Sequence, residues 1–160
     1  MEMIYKIDMV LIIVSVVVLI GVVGYVNPLV VAPLDDYETT DTEILFSIEK
    51  ADVLLIDDNI DFTTPDEYSL KDGLRINLKP GQYYWKAVGV LESDVRTLTI
   101  NSEIDLVLEF DGEGYSVVNA GNVRLNVDVY NGTELVEKVK IGIGGEADIE
   151  GDKFVGEMDG

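Results

Sequence analysis

The chain contains no cysteine and no histidine among its 160 residues. Without cysteine there is no disulfide framework, no zinc ribbon and no thiol nucleophile. Without histidine, the commonest general base is missing, and so is the imidazole ligand of most zinc and copper sites. These absences exclude the enzymes and metalloproteins that depend on either residue, and the sequence implies no cofactor.

Basic residues are also scarce, with 11 lysines and arginines against 31 aspartates and glutamates and a formal net charge of −20. A broad nucleic-acid surface must neutralise phosphates with lysine and arginine, so we expect no nucleic-acid partner. The same negative charge repels the protein from anionic lipid headgroups.

Charged side chains are absent from Met9 to Leu34, and the part up to Val26 is almost entirely apolar. As a helix, residues 9–26 span about 27 Å, which is close to the hydrocarbon thickness of a bilayer. Asn27-Pro28 would end such a helix. The pattern predicts a transmembrane helix that contacts the lipid bilayer through residues 9–26.

The basic residues on either side of this helix predict its orientation across the membrane. Residues 1–8 form a short amino terminus with Lys6, and no further lysine or arginine follows the helix until Lys50. The positive-inside tendency therefore predicts a cytoplasmic amino terminus and an outside carboxy-terminal region. We expect an interfacial segment to complete the membrane region, which covers residues 9–34.

A cleaved signal peptide is the alternative to a retained anchor. Val30-x-Ala32 offers the best small-residue cleavage site, but Pro33 follows it and the apolar stretch is long for a signal peptide. We therefore favour a retained helix.

Beyond Asp41 the pattern changes to short runs of alternating apolar and polar residues, without a convincing helical stretch. Turn signals separate the runs: Asp72-Gly73, Asp111-Gly112 and Asn131-Gly132. These features predict an all-β, antiparallel sandwich preceded by one amino-terminal transmembrane helix. We expect one β-domain over residues 35–100 and a loose acidic tail over 144–160. Between them, residues 101–143 are expected to form further strands, either as a second partial unit or as the completion of the same sandwich.

Two segments resemble fibronectin type III-like and related immunoglobulin-like domains of cell-surface proteins. The first is the acidic, Phe-containing stretch from Ile56 to Pro65, and the second is Leu78-Lys79-Pro80-Gly81-Gln82-Tyr83-Tyr84-Trp85-Lys86. The resemblance implies that Pro80-Gly81 turns into a central strand, that the Tyr83 hydroxyl bonds nearby backbone at a corner, and that Trp85 fills the core. Residues 117–123 are similar to a second, incomplete immunoglobulin-like unit of the kind found in archaeal surface proteins.

Three acidic or amide residues, Asp57, Asn59 and Asp61, alternate like the oxygen ligands of a calcium loop. However, Phe62 stands at the position that requires glycine, and Tyr68 at the position of the bidentate glutamate. A solvated bend at a strand end is therefore the favoured interpretation, and we expect no metal site.

Asn131-Gly132-Thr133 is a glycosylation sequon on a predicted hairpin tip, which makes Asn131 a candidate modification site, although Asn-Gly also serves the turn. Close carboxylate pairs are expected by chance among so many acids, and no nucleophile or phosphate-binding motif is present, so we expect no catalytic residues.

The sequence is therefore interpreted as a non-catalytic, single-pass membrane protein with an extracytoplasmic immunoglobulin-like domain, which has a structural role or binds a protein partner or itself at the cell surface. A pilin-like or archaellin-like filament subunit is one alternative, although Lys6-Ile7-Asp8 lacks the processing site of that class. An accessory subunit of a larger membrane complex is the other.

Overall fold

A computed structural model describes residues 2–71, 73–110 and 115–159, with side chains for all of these except residues 2–4, 23 and 115. The predicted turn at Asp111-Gly112 lies outside the described residues, as does Asp72 of the other predicted turn. Gly73, the second residue of that turn, is described and has a φ of 70°.

Within the described residues there is one helix, α1, which runs from Glu2 to Val26. It ends directly before Asn27-Pro28, as predicted, because proline cannot continue the helical hydrogen-bond ladder. The helix begins earlier than the predicted apolar segment, so residues 2–8 are helical, and their cytoplasmic location stays a prediction. The segment Tyr5–Val26 is long and apolar enough to cross a membrane, with a mean hydropathy of 3.0, and none of it is buried within the chain.

The rest of the described chain is mostly β-structure. The strands, in chain order, are β1 (Leu29–Ala32), β2 (Tyr37–Thr39), β3 (Glu43–Glu49), β4 (Val53–Asp57), β5 (Asp66–Ser69), β6 (Leu74–Asn77), β7 (Gly81–Val88), β8 (Arg96–Ile100), β9 (Leu106–Phe110), β10 (Tyr115–Asn119), β11 (Leu125–Asn131), β12 (Glu134–Ile141), β13 (Glu146–Asp148) and β14 (Lys153–Met158). The prediction of β-structure preceded by one apolar helix is confirmed at this level.

The described strands form four small sheets. Their orders are β1-β3-β6, β2-β8-β7-β4-β5, β13-β10-β9 and β12-β11-β14. The register is antiparallel in the described ladders, for example Ile56 opposite Trp85 between β4 and β7, and Val127 opposite Val139 between β11 and β12. Antiparallel pairing matches the alternation of apolar and polar residues along these strands.

The chain divides into two compact units. Unit 1 comprises Met1–Asp36, Leu45–Arg75 and Tyr83–Leu98, and unit 2 comprises Tyr37–Ile44, Ile76–Gln82 and Thr99–Gly160. Within the predicted 35–100 domain, the division assigns residues 37–44, 76–82 and 99–100 to unit 2, and its boundaries fall inside β3, β6, β7 and β8.

The core of unit 1 contains alternate residues of its strands. Burial is complete, at 0% exposure, for Phe46, Leu54, Trp85, Ala87 and Leu98.

The core of unit 2 is a cluster of buried aliphatic side chains with partly buried neighbours. Its members are Val117, Leu125, Val127, Val129, Ile141 and Ile149, packed by Leu106, Val123, Val139, Ala147 and Phe154.

Leu29–Ala32 forms strand β1 and pairs with β3, Leu29 lying opposite Glu49. Its expected position at the membrane interface stays a prediction. One prediction about an irregular segment is wrong. The expected loose tail, residues 144–160, contains β13 and β14, and β14 pairs with β11 from Lys153 to Met158. Its sequence is acidic and rich in glycine, but Phe154 and Ile149 pack in the core of unit 2, which stabilises the strand.

The hairpin predicted at Asn131-Gly132 is confirmed. Asn131 lies opposite Glu134, so Gly132 and Thr133 form the two-residue turn, and Gly132 adopts a φ of 64° that suits glycine. A register shift at Val129/Tyr130 leaves Val136 as an extra residue in β12 and changes the face of the residues that precede it in that strand. Leu135, which the alternation predicts to be buried with Val139 and Ile141, is therefore exposed.

Candidate functional sites

The acidic bend after β4 is closed by its own side chains. Asp57 ends β4 and is buried, and its Oδ1 accepts a hydrogen bond from the Asn59 amide at 3.0 Å. Its Oδ2 accepts one from the Thr64 amide, also at 3.0 Å. The Asn59 Oδ1 in turn accepts a hydrogen bond from the amide of Asp61 at 3.0 Å. These side chains replace strand pairing for the amides of a loop that must reverse direction.

Two opposing effects act on the pKa of Asp57. Burial raises it by desolvating the carboxylate, but hydrogen bonds from the Thr64 and Asn59 amides and from Asp58 favour the ionised form, and the pKa ends below its ordinary value. Among the residues described, no group of three His, Cys, Asp or Glu side chains is placed to hold a metal ion. The arrangement is that of a structural bend, and calcium binding at Asp57, Asn59 and Asp61 stays an untested alternative.

The aromatic motif of β7 contributes the centre of unit 1. The Trp85 ring packs edge-on against Phe46, with centroids 5.3 Å apart at 84°, and the Arg96 guanidinium lies 5.7 Å from the ring centroid. The Trp85 Nε1 has no hydrogen-bond acceptor among the described residues. Trp85 therefore fills the core as predicted. Tyr83 is half-buried, and the expected bond from its hydroxyl to the backbone stays a prediction.

Asn131 lies exposed at the tip of the β11–β12 hairpin. The next residue donates its amide to Asp152 Oδ2 at 2.8 Å, which holds the tip against the beginning of β14. The exposed position is compatible with glycosylation, which stays a prediction. Asn-Gly also meets the needs of the turn, so both roles are served by the same residues.

Two buried asparagines in unit 2 lie outside every predicted site. Asn119 is fully buried, and its Nδ2 lies within 3.3 Å of three carbonyl oxygens, those of Val123, Ile141 and Gly142. Asn122 Oδ1 accepts from the Glu103 amide at 2.7 Å, and its Nδ2 donates to the carbonyls of Thr40 and Asn101. These residues satisfy backbone groups where strands end. The sequence Asn-Ala-Gly-Asn resembles an ordinary exposed turn, so it does not show that its two asparagines are buried and bond the backbone.

Strand β9 presents an open edge that the sequence analysis does not identify. In the described part of the chain, β9 ends its sheet and pairs only with β10. The Ala120 amide donates to the Asp105 carbonyl at 2.9 Å, so Ala120 and Asp105 form a hydrogen-bonded pair. In an antiparallel ladder, such pairs alternate with pairs that are not hydrogen-bonded. Val107 thus bonds to Val118 of β10, whereas the backbone N–H and C=O groups of Leu106 and Leu108 point to the open edge.

The side chains of β9 also lack full cover. Alternation predicts that Leu106 and Leu108 face the core, and Leu106 does pack against it, but Leu108 is 55% exposed. A cavity of about 240 Å³ lies beside it, lined by Leu106, Val107, Leu108, Val117, Asp152, Lys153 and Phe154. Strand β14 also ends its sheet, so this cavity opens between two sheet edges of unit 2. We refer to the free side of Leu106–Phe110 as the β9 edge.

Comparisons with known proteins assign no family. No protein-family model matches the chain, and no curated protein matches its sequence. Among solved structures, the chain is similar to the crystal structure of the periplasmic chaperone SfaE, with 14% sequence identity over 77% of this chain and 86% of that chain and a TM-score of 0.25. A similarity of this degree assigns neither a family nor a function to the chain.

Proposed function

We propose that the protein is a non-catalytic, single-pass membrane protein whose β-region is an immunoglobulin-like, extracytoplasmic module that binds a protein partner. One observation carries the proposal: helix α1 has a 22-residue segment long and apolar enough to cross a membrane, this segment is unburied within the chain, and the helix leads into strand β1 after only two residues. Water would contact the whole apolar surface of such a helix, whereas a bilayer removes that cost.

The position of β1 favours a retained anchor over a cleaved signal peptide. Cleavage after Ala32, the best small-residue site, would remove Leu29–Ala32 from its ladder with β3. The cut would leave β3 with an unpaired edge and expose backbone groups that are now hydrogen-bonded. The charges that flank the uncharged segment 9–26 of α1 favour a cytoplasmic amino terminus and an outside β-region, because Lys6 precedes this segment and the next basic residue is Lys50.

The β9 edge supports a binding role for the outer region. Its free backbone groups and half-exposed Leu108 suit an extended peptide that adds a strand and inserts a side chain into the neighbouring cavity. The net charge of −20 disfavours a second copy of the chain and favours a partner segment with basic residues.

The amino-terminal sequence and mass of the native protein, purified from its own membranes, test the anchor. We expect a chain that begins at Met1 or Glu2 and a β-region that added protease digests in right-side-out membranes. A chain beginning at Pro33 or later would show cleavage and would overturn the anchor. Protection of the β-region from protease would reverse the orientation.

A filament subunit is the second candidate, because an unburied apolar helix also suits a helical bundle at a filament core. It predicts a processed amino terminus between Ile7 and Val10 and a polymer that shearing releases from the cells. An accessory subunit predicts instead a detergent-stable complex of fixed composition. Neither outcome is expected if α1 acts as a simple anchor.

A further inference from the structure

The end of unit 1 that adjoins α1 is identified by strand register. Strand β1 begins three residues after the helix, and its first residue, Leu29, lies opposite Glu49 at the end of β3. The chain then turns at Lys50, which adopts a φ of 61°, and enters β4 at Val53. The Lys50 ammonium lies 5.2 Å from the centroid of the Tyr25 ring, so this turn also contacts the last turn of the helix.

The connection between β7 and β8 lies at the same end. Val53 is opposite Val88, and the Asp52 amide donates to the Val88 carbonyl at 2.9 Å. Gly89 packs so closely on the neighbouring turn that a Cβ there would lie 2.4 Å from the Lys50 carbonyl oxygen. The close approach requires glycine, since any side chain would displace the backbone.

Residues 89–91 form a tight, apolar tip at this end of unit 1. The Gly89 amide donates to the Leu91 carbonyl at 2.9 Å, and a bridge between Val88 and Glu92 closes the loop behind it. Val90, at the apex, is 79% exposed, and Leu91 is partly exposed beside it. The tip is therefore held in shape by its backbone and presents a β-branched apolar side chain to the surroundings.

Other exposed residues at this end have the character of a membrane interface. Tyr25 and Leu29 are both mostly exposed, and Lys50 is the cation that contacts the tyrosine ring. Aromatic rings and lysines are enriched where a helix leaves the hydrocarbon, because each combines apolar and polar parts. The acids Glu49 and Asp52 are also exposed here, and Glu92 pairs with Lys86 at 2.8 Å. Their charge limits insertion to a shallow depth.

We infer that the tip at residues 89–91 is a second membrane contact, in which Val90 and Leu91 enter the outer interface of the bilayer that α1 spans. The inference rests on the proposed membrane anchor. The occupant is a zwitterionic lipid interface, because the tip is continuous with the end of the span and the acidic chain repels anionic headgroups. Two contacts, α1 and the tip, would fix the tilt of unit 1 on the membrane surface.

Depth-dependent quenching of a fluorophore tests the inference in the full chain, reconstituted in phosphatidylcholine bilayers. Because the chain has no cysteine, V90C carries a single environment-sensitive label without removing other thiols. The matched control is I60C: Ile60 is also an exposed loop residue, at 58%, but lies beyond the opposite end of β4. About 13 Å of strand separates the two ends. A third variant, S15C, places the label within the predicted span.

We expect a blue-shifted emission maximum at position 90 and loss of its emission with nitroxide near the lipid glycerol, but little loss at position 60. Position 15 should be quenched most by nitroxide deep in the acyl chains. If position 15 is quenched but position 90 behaves like position 60, the tip contact is overturned and the anchor stands. If position 15 is not quenched, the anchor itself fails, and the tip contact fails with it.

Discussion

Strands β4 and β9 have similar apolar sequences, Val-Leu-Leu-Ile-Asp and Leu-Val-Leu-Glu-Phe, but different surroundings. In unit 1, β4 lies between β7 and β5, and Leu54, Ile56 and Asp57 are buried. In unit 2, β9 has one described neighbour, and its residues are half-buried or exposed. The alternation in a strand thus predicts which residues share a face, whereas the neighbouring strands decide whether that face is covered.

This difference should have its largest effect on the stability lost when a leucine of each strand is replaced by alanine. L54A should lower the free energy of unfolding by about 2–5 kcal/mol, because it leaves a cavity in a closed core. L108A should cost about 1 kcal/mol or less, because Leu108 keeps much of its contact with water in the folded chain. Chemical denaturation in detergent, followed by circular dichroism, measures both. Equal losses would show that something covers the β9 edge.

Proline substitutions on β9 compare its hydrogen-bonded side with its open side. V107P should cost about 1–3 kcal/mol, because it removes the N–H that donates to the Val118 carbonyl and leaves that carbonyl unpaired. L108P removes an N–H that faces the open edge, so its stability should be close to that of L108A.

The variants L108A and L108P together also test whether a partner binds the β9 edge. A protein that copurifies from native membranes with L108A but not with L108P would depend on the free N–H of Leu108, as an added strand requires. Loss of stability in L108P equal to that in V107P would contradict the assigned ladder. Copurification with both variants would place the partner elsewhere on the chain.

A smaller effect is expected at the end of β4. Because the folded pKa of Asp57 is depressed below its ordinary value of 3.8, the ionised carboxylate stabilises the fold fully above that pH. The stabilisation is lost as pH falls through the depressed pKa. D57N should therefore lower the Tm at neutral pH, and the difference from the native protein should narrow in strong acid.

The control for this prediction is D61N, which changes an exposed carboxylate in the same bend and conserves the Asp57 hydrogen bonds. Its Tm should follow that of the native protein at each pH. A difference between D57N and the native protein that is independent of pH would show that the side chain's shape, and not its charge, stabilises the bend.

The sequence predicts well those features that depend on local pattern. The end of α1 at Asn27-Pro28, the hairpin at Gly132 and the burial of Trp85 each follow from one or two residues with strong conformational preferences. The acidic bend is also predicted, since alternating Asp and Asn side chains can accept hydrogen bonds from amides two residues ahead.

Features that depend on distant pairing are not predictable in this way. β14 forms because six residues of an acidic, glycine-containing segment lie along β11, a neighbour that no local signal identifies. β1 follows the helix so closely that its apolar residues read as a continuation of the membrane segment. The β9 edge was missed as a site for the same reason: alternation predicts a buried face, and only the order of strands shows that one side is open.

Trp85 has a consequence for measurement as well as for packing. It is the single tryptophan of the chain, and it lies fully buried in unit 1 against Phe46. Its intrinsic fluorescence therefore follows the melting of unit 1 alone, while the strand signal in far-ultraviolet circular dichroism follows both units. Coincident transitions from the two signals would show that the units unfold as one cooperative system, and separated transitions would give each unit its own stability without any label.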